Sequence, residues 1–222
     1  MEETYAYYPA FQAADDLRER PQGDLEQLAH EAEVLFKEWA DRVQVRAVYS
    51  TVGFRPDVDL LMWWVGHRPE DLQELLVAFR RTGLGRGLVP TWTFLGVVRP
   101  AEFTPDHVPA FVRGEPPRRY VTVYPFVRTA DWYLLPEERR AALLREHGEI
   151  GRQFPDVLTN TTSAFGLGDW EWVLAFEADD LSRLVDCIRR LRAAEARRFT
   201  KEEVPFLTGI RKDLVEAVQD LA

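Results

Sequence analysis

Of the chain's four histidines, His147 sits in the pattern best prepared for chemistry. It follows Leu144 by three residues and Leu143 by four, so in a helix it shares their apolar stripe. A buried imidazole needs a partner. Two readings stand at this point: a core histidine hydrogen-bonded to backbone, or a ligand to something that enters from outside. Gly148 and Gly151 bear on the choice, because a helix-interior glycine costs roughly 1 kcal/mol, and a pair beside the imidazole suggests a bulky group close to the backbone. His30 lies off the Leu28/Leu35 face and His67 falls at a strand-to-helix junction, so both are expected to be solvated.

An iron porphyrin with His147 as axial ligand would fit that arrangement. A second set of residues suits such a ligand's carboxylates. Tyr124, Phe126 and Arg128 alternate along one predicted strand and face the same side, with the phenol and the guanidinium about 13 Å apart at roughly 3.3 Å per residue. Pattern alone leaves the alternative open, with Tyr124 as half-buried sheet filler and Arg128 as a solvated strand end.

The elements that must position these groups follow from hydrophobic period. Tyr5 to Gln12 reads as extended, and a helix with Leu28, Ala32, Leu35 and Trp39 on one face comes next. Val43–Thr51 and Asp59–Gly66 read as an antiparallel pair, Pro69 to about Arg81 as a helix, and Thr91–Val98 as a strand. The order repeats: strand Tyr120–Arg128, helix Pro136 to about Ile150, strands Asp156–Phe165 and Trp170–Glu177, helix Asp180 to about Arg197, and strand Val204–Ile210. The predicted fold class is therefore α+β, with two ferredoxin-like units in one chain. Residues 1–99 form the first unit, the proline-rich stretch 100–119, which carries His107, is the linker, and 120–222 form the second.

Composition narrows the function classes. Among 222 residues, 28 Lys and Arg against 37 Asp and Glu give a net charge of −9, which argues against a nucleic-acid partner. The longest apolar runs are far shorter than the roughly 20 residues that span a bilayer, so no membrane insertion is expected. The acidic start, Met1-Glu2-Glu3, lacks the order of a secretory signal, and a cytoplasmic location is expected. Cys187, the one cysteine, reads as a buried inert thiol. Two motifs are decoys: Gly83-Leu-Gly85-Arg-Gly87 follows a helix where a phosphate loop would follow a strand, and the Trp170-Glu171-Trp172 alternation reads as a strand with one buried face.

Taken together, Tyr120-Val-Thr-Val-Tyr124-Pro-Phe-Val-Arg128, Asp131-Trp132-Tyr133-Leu-Leu-Pro136, His147-Gly148-Glu-Ile-Gly151-Arg152 and Gly168-Asp169-Trp170-Glu171-Trp172 resemble the coproheme decarboxylases of the chlorite dismutase-like superfamily. The likeness is closest to the actinobacterial branch and continues through Glu195-Ala-Arg197 and Glu203-Val-Pro205-Phe206. The resemblance implies that the paired units form a dimeric α+β barrel and that the chain assembles as a homopentamer. It implies iron coproporphyrin III (coproheme) as both substrate and redox centre, hydrogen peroxide as oxidant and haem b as product.

By the same resemblance His147 is the proximal iron ligand, and Tyr124 becomes the radical that takes hydrogen from a propionate. His107 is the distal acid–base group, and Arg128 and Arg197 lie near the propionates. Read without the resemblance, His107 is an exposed loop histidine. The rivals are a chlorite dismutase-like haem enzyme, which relies on a distal arginine not found here with confidence, and a haem sensor or carrier without catalysis. A dye-decolourising peroxidase is disfavoured because Gly166-Leu-Gly-Asp169-Trp170 departs from its Gly-x-x-Asp-Gly signature.

Overall fold

A computed structural model describes residues 3–103 and 108–222. The chain divides into two compact units, Met1–Val98 with Leu207–Ala222, and Arg99–Phe206.

In the first unit, strand β1 (Tyr5–Ala13) leads through a short helix α1 (Asp15–Arg18) to helix α2 (Gln22–Glu38). Strands β2 (Val43–Ser50) and β3 (Leu60–Gly66), helix α3 (Pro69–Phe79), short helix α4 (Gly83–Arg86) and strand β4 (Leu88–Val97) follow. β1 pairs antiparallel with both β3 and β4, and β2 with β3, so the strands lie in the order β4-β1-β3-β2. Alternation sends Phe11, Leu60, Met62 and Trp64 to one face, where they meet Leu25, Ala29 and Ala32 of α2 and Leu72, Leu75 and Phe79 of α3. Aromatic edges fix the packing: the Phe79 ring lies 5.7 Å from Phe11 and 5.5 Å from Phe36. The glycine-rich decoy is the helix α4, capped by Thr82, whose hydroxyl accepts the Gly85 N–H at 3.0 Å. A Cβ on Gly85 would lie 2.0 Å from the Phe79 carbonyl oxygen, so this glycine serves close backbone packing.

In the second unit, strand β5 (Tyr120–Arg128) is followed by a short helix α5 (Ala130–Leu134) and helix α6 (Glu137–Gly151). Strands β6 (Leu158–Ser163) and β7 (Trp172–Ala178), helix α7 (Leu181–Leu191), a 3₁₀ turn at Glu195–Phe199 and the short strand β8 (Thr200–Glu202) complete it. β7 pairs with both β6 and β5, and β5 with β8. Phe176, Leu184 and Cys187 centre one apolar cluster, and Trp132, Leu143 and Ala196 another.

Two departures from the sequence reading have clear physical causes. The helix expected to run from Asp180 to Arg197 ends at Leu191, and a separate 3₁₀ turn re-aims the chain so that Ala196 packs against Trp132 and Leu143. The last strand, β9 (Leu207–Lys212), and helix α8 (Leu214–Gln219) belong to the first unit, although the sequence division had assigned them to the second. β9 pairs with β2, matching Ser50 with Ile210 and Val48 with Lys212. Gly209 permits that approach, since a Cβ there would sit 2.8 Å from the Tyr49 Cβ. Leu214, Ala217, Val218 and Leu221 then complete the first core. Alternation along a strand reports which residues face inward, whereas the edge it joins is set by tertiary fit.

Linker residues Phe111 and Arg118 are tied to the second unit, with which they group. Asn160, fully buried on β6, accepts the Phe111 N–H at 2.9 Å and donates to Ala175 O and to the buried Glu177 carboxylate at 3.0 and 3.1 Å. Glu177 accepts the Arg118 N–H at 3.1 Å. Asn160→Ala removes both ends of this tether and orphans buried groups that each cost roughly 1–3 kcal/mol. The variant is expected to lose about 3 kcal/mol of unfolding free energy, read as a lower urea midpoint at unchanged slope.

Candidate functional site

The even-numbered residues of β5 form the face on which the candidate site is built. Tyr124 is buried there, its ring stacked on Phe206 at 4.5 Å and 25° and set edge-on to Phe176 at 5.8 Å. Burial, reinforced by the negative charge of Glu203, holds the phenol well above its ordinary pKa, against the weaker opposing pull of Arg192 and Arg197. Tyr124 is therefore protonated throughout the physiological range.

Arg128 ends the same strand. Its guanidinium lies over the Trp132 ring at 4.1 Å and the Phe126 ring at 4.6 Å, and one arm donates to the Ala196 carbonyl at 3.0 Å. Its backbone N–H donates to the Glu171 carboxylate at 2.7 Å. Burial lowers its pKa to about 10, so it remains a cation at neutral pH.

His147 lies on α6, half-buried, and no group among the described residues hydrogen-bonds its ring. Burial first, and then the positive charge of Arg128, press its pKa down to about 4, against a small opposing pull from Glu146. The imidazole is thus neutral, with a ring nitrogen free to bind. The helix around it is thinly packed: of its 15 residues only Leu143 and Ile150 are buried. A Cβ at Gly151 would meet nothing within 4 Å, and one at Gly148 only the end of the Arg152 side chain at 3.7 Å. Open space beside a neutral, unpartnered imidazole is what a flat, axially bound iron macrocycle requires. Among the described residues no group of three or more His, Cys, Asp or Glu is placed to hold a metal ion alone.

Tyr124, Arg128 and His147 all lie in the second unit, and the Arg128 charge reaches His147. Arg197 joins them in a different posture from that expected. It is ion-paired with Glu203, which Arg192 also reaches at 3.2 Å, so its guanidinium already has a carboxylate. His107 lies outside the described residues. His30 and His67 are exposed and bonded to Glu33 and to the Glu3 carbonyl, as their positions implied. Trp132, Glu171, Glu203 and Phe206 also line these groups, and the sequence pattern assigns them no role. Their contacts come from loops and short turns, where no periodicity marks an inward face.

The family model for chlorite dismutase matches residues 25–212. The chain belongs to the chlorite dismutase family. Within the family it is 50% identical over 183 residues to a coproheme decarboxylase of Mycolicibacterium smegmatis, covering 82% of this chain and 79% of that protein. A solved chlorite dismutase from Candidatus Nitrospira defluvii, in complex with imidazole, superposes with a TM-score of 0.88 at 24% identity, over 98% of this chain and 94% of that one. A putative chlorite dismutase superposes at 0.84 with 22% identity, over 99% and 100% of the two chains. These solved structures bear out the expected α+β class and its ferredoxin-like units.

The depressed His147 pKa has a consequence for the ligand-free chain of this chlorite dismutase family member. Between its ordinary value of 6.5 and its folded value of about 4, the unfolded chain binds the proton and the folded one does not. Folding stability is therefore whole above pH 6.5 and falls as the pH drops toward 4. Urea midpoints measured across this range should fall less steeply in His147→Phe than in the parent, and parallel curves would remove His147 as the cause.

Proposed function

We propose that the chain is a coproheme decarboxylase, which converts iron coproporphyrin III to haem b by oxidative removal of two propionate carboxyls. What carries this reading is a neutral half-buried imidazole within the field of a desolvated arginine whose strand also bears a buried phenol, in a chain 50% identical to a coproheme decarboxylase over 82% of its length.

When bound, the iron porphyrin supplies oxidising equivalents drawn from hydrogen peroxide. His147 holds the iron through a ring nitrogen that its environment keeps free of a proton. Arg128 presents a fork of donors to a propionate, and the rings of Trp132 and Phe126 hold that fork in plane. Arg197, its charge shared with Glu203, is the second arginine assigned to a propionate in this reading. Tyr124 gives up an electron and its phenolic proton, and the neutral radical takes a hydrogen atom from the propionate side chain. That side chain loses a further electron and CO2 and becomes vinyl. Each round is a two-electron oxidation and consumes one peroxide. His107 takes a proton from the peroxide and returns it, the role its position in the family implies.

A homopentamer and a cytoplasmic location are proposed with this reading. Among the described residues no helix is long and apolar enough to cross a membrane.

Tyr124→Phe keeps the ring and its stack on Phe206 while deleting the hydroxyl. The variant should bind coproheme with an unchanged absorption band and show, by mass spectrometry after peroxide titration, no loss of carboxyl groups. Full conversion by that variant would overturn the mechanism, and no conversion by the parent would favour a haem sensor or a chlorite dismutase-like activity. His107→Phe should bind coproheme normally and slow the peroxide reaction by roughly 10²–10⁴-fold, measured by stopped flow.

A further inference from the structure

Trp172 has no part in the mechanism above, yet it connects the site to the surface. From Phe126, which underlies the Arg128 guanidinium, the ring of Trp172 is 5.8 Å away. Phe165 stands edge-on to Trp172 at 4.7 Å, and Tyr133 stands edge-on to Phe165 at 6.2 Å. Both outer rings are exposed, Phe165 at 50% and Tyr133 at 43%. The Tyr133 hydroxyl shares a hydrogen bond with the Glu171 carboxylate, the same carboxylate that accepts the Arg128 N–H.

We propose that Trp172 and Tyr133 form an electron relay from the site to the surface, with Glu171 as proton acceptor, through which a small reducing donor in solvent quenches surplus oxidation at the site. The inference rests on the reading of the chain as a peroxide-using iron-porphyrin enzyme.

The chemistry of the end residues fits a relay. An indole gives up an electron more readily than a benzene ring, so Trp172 is the oxidisable member of the inner pair and Phe165 a bridge. A phenol is hard to oxidise unless its proton leaves at the same time, and a carboxylate already bonded to the hydroxyl supplies that outlet. The steps balance. Peroxide, reduced to water, leaves the bound porphyrin short of electrons, and Trp172 supplies one, becoming a radical cation. Tyr133 returns an electron to Trp172 as its phenolic proton passes to Glu171, leaving a neutral tyrosyl radical and a protonated carboxyl. The external donor then gives one electron to Tyr133, and Glu171 gives the proton back. Exposure also sets the direction, since Tyr124 is buried whereas Tyr133 can meet a donor.

Two experiments separate this relay from the function it serves. In the ligand-free protein, azide radicals generated by pulse radiolysis oxidise tryptophan, and the transfer from tryptophan to tyrosine radical is followed by absorbance. Tyr133→Phe should lose one phase of that transfer, and Glu171→Gln should slow the same phase; an unchanged time course in both would overturn the relay. In the haem b-loaded protein treated with excess peroxide and a nitroso spin trap, peptide mass spectrometry should place an adduct on Tyr133. That adduct should be lost in Tyr133→Phe and fall severalfold in Trp172→Phe. A normal porphyrin absorption band with no adduct at Tyr133 would also overturn it. Failure of the parent to form that band would instead overturn the proposed function, and the ligand-free measurement would still decide the relay.

Discussion

The second unit is organised around a charge taken out of water. Desolvating a guanidinium is costly unless its donors and its charge are met. Arg128 is met by two aromatic faces and one backbone carbonyl at its guanidinium, and by a carboxylate at its backbone N–H. Each of those groups belongs to a different piece of chain, and so fixing Arg128 fixes α5, the 3₁₀ turn and the start of β7 around the end of β5. The same charge keeps a proton off His147. One residue thus gathers the surrounding segments and adds its charge to the burial that keeps His147 neutral.

How much of this could be read beforehand depends on whether the signal was local. The bounds of β5 coincide with the sequence reading, because nine residues of alternating aromatic and β-branched character carry their own register. Leu143 marked the buried side of α6, and the two glycines marked space near the histidine. What the pattern could not reveal was distance. Glu203 sits 11 residues beyond Arg192 and joins it across a turn, so the engagement of Arg197 in that same cluster had no sequence signature. Trp132 lies four residues after Arg128, but the short helix between them is too brief for a hydrophobic period to register.

The two units share an element order and differ in how they are filled. The first packs Phe11, Trp64 and Phe79 together and seats α2 on Leu25, Ala29 and Ala32 and α3 on Leu72, Leu75 and Phe79. In the second, α6 has two buried residues, Leu143 and Ile150, and open space beside Gly151 next to the half-buried His147. A helix held so lightly opens at low cost in the ligand-free chain, and a bound macrocycle would take the place of the missing side chains.

The return of β9 and α8 to the first unit has a bearing on synthesis. The two parts of that unit are separated in the chain by the whole of the second. A polypeptide emerging from the ribosome exposes β2 as an open edge until Leu207–Lys212 arrives to pair with it. The second unit is already out by then. The sixteen residues that close the first core are thus made only after the whole of the second unit. Ribosome stalling before Leu207 would leave a chain with its binding unit formed and its scaffold open, a species well suited to recognition by chaperones.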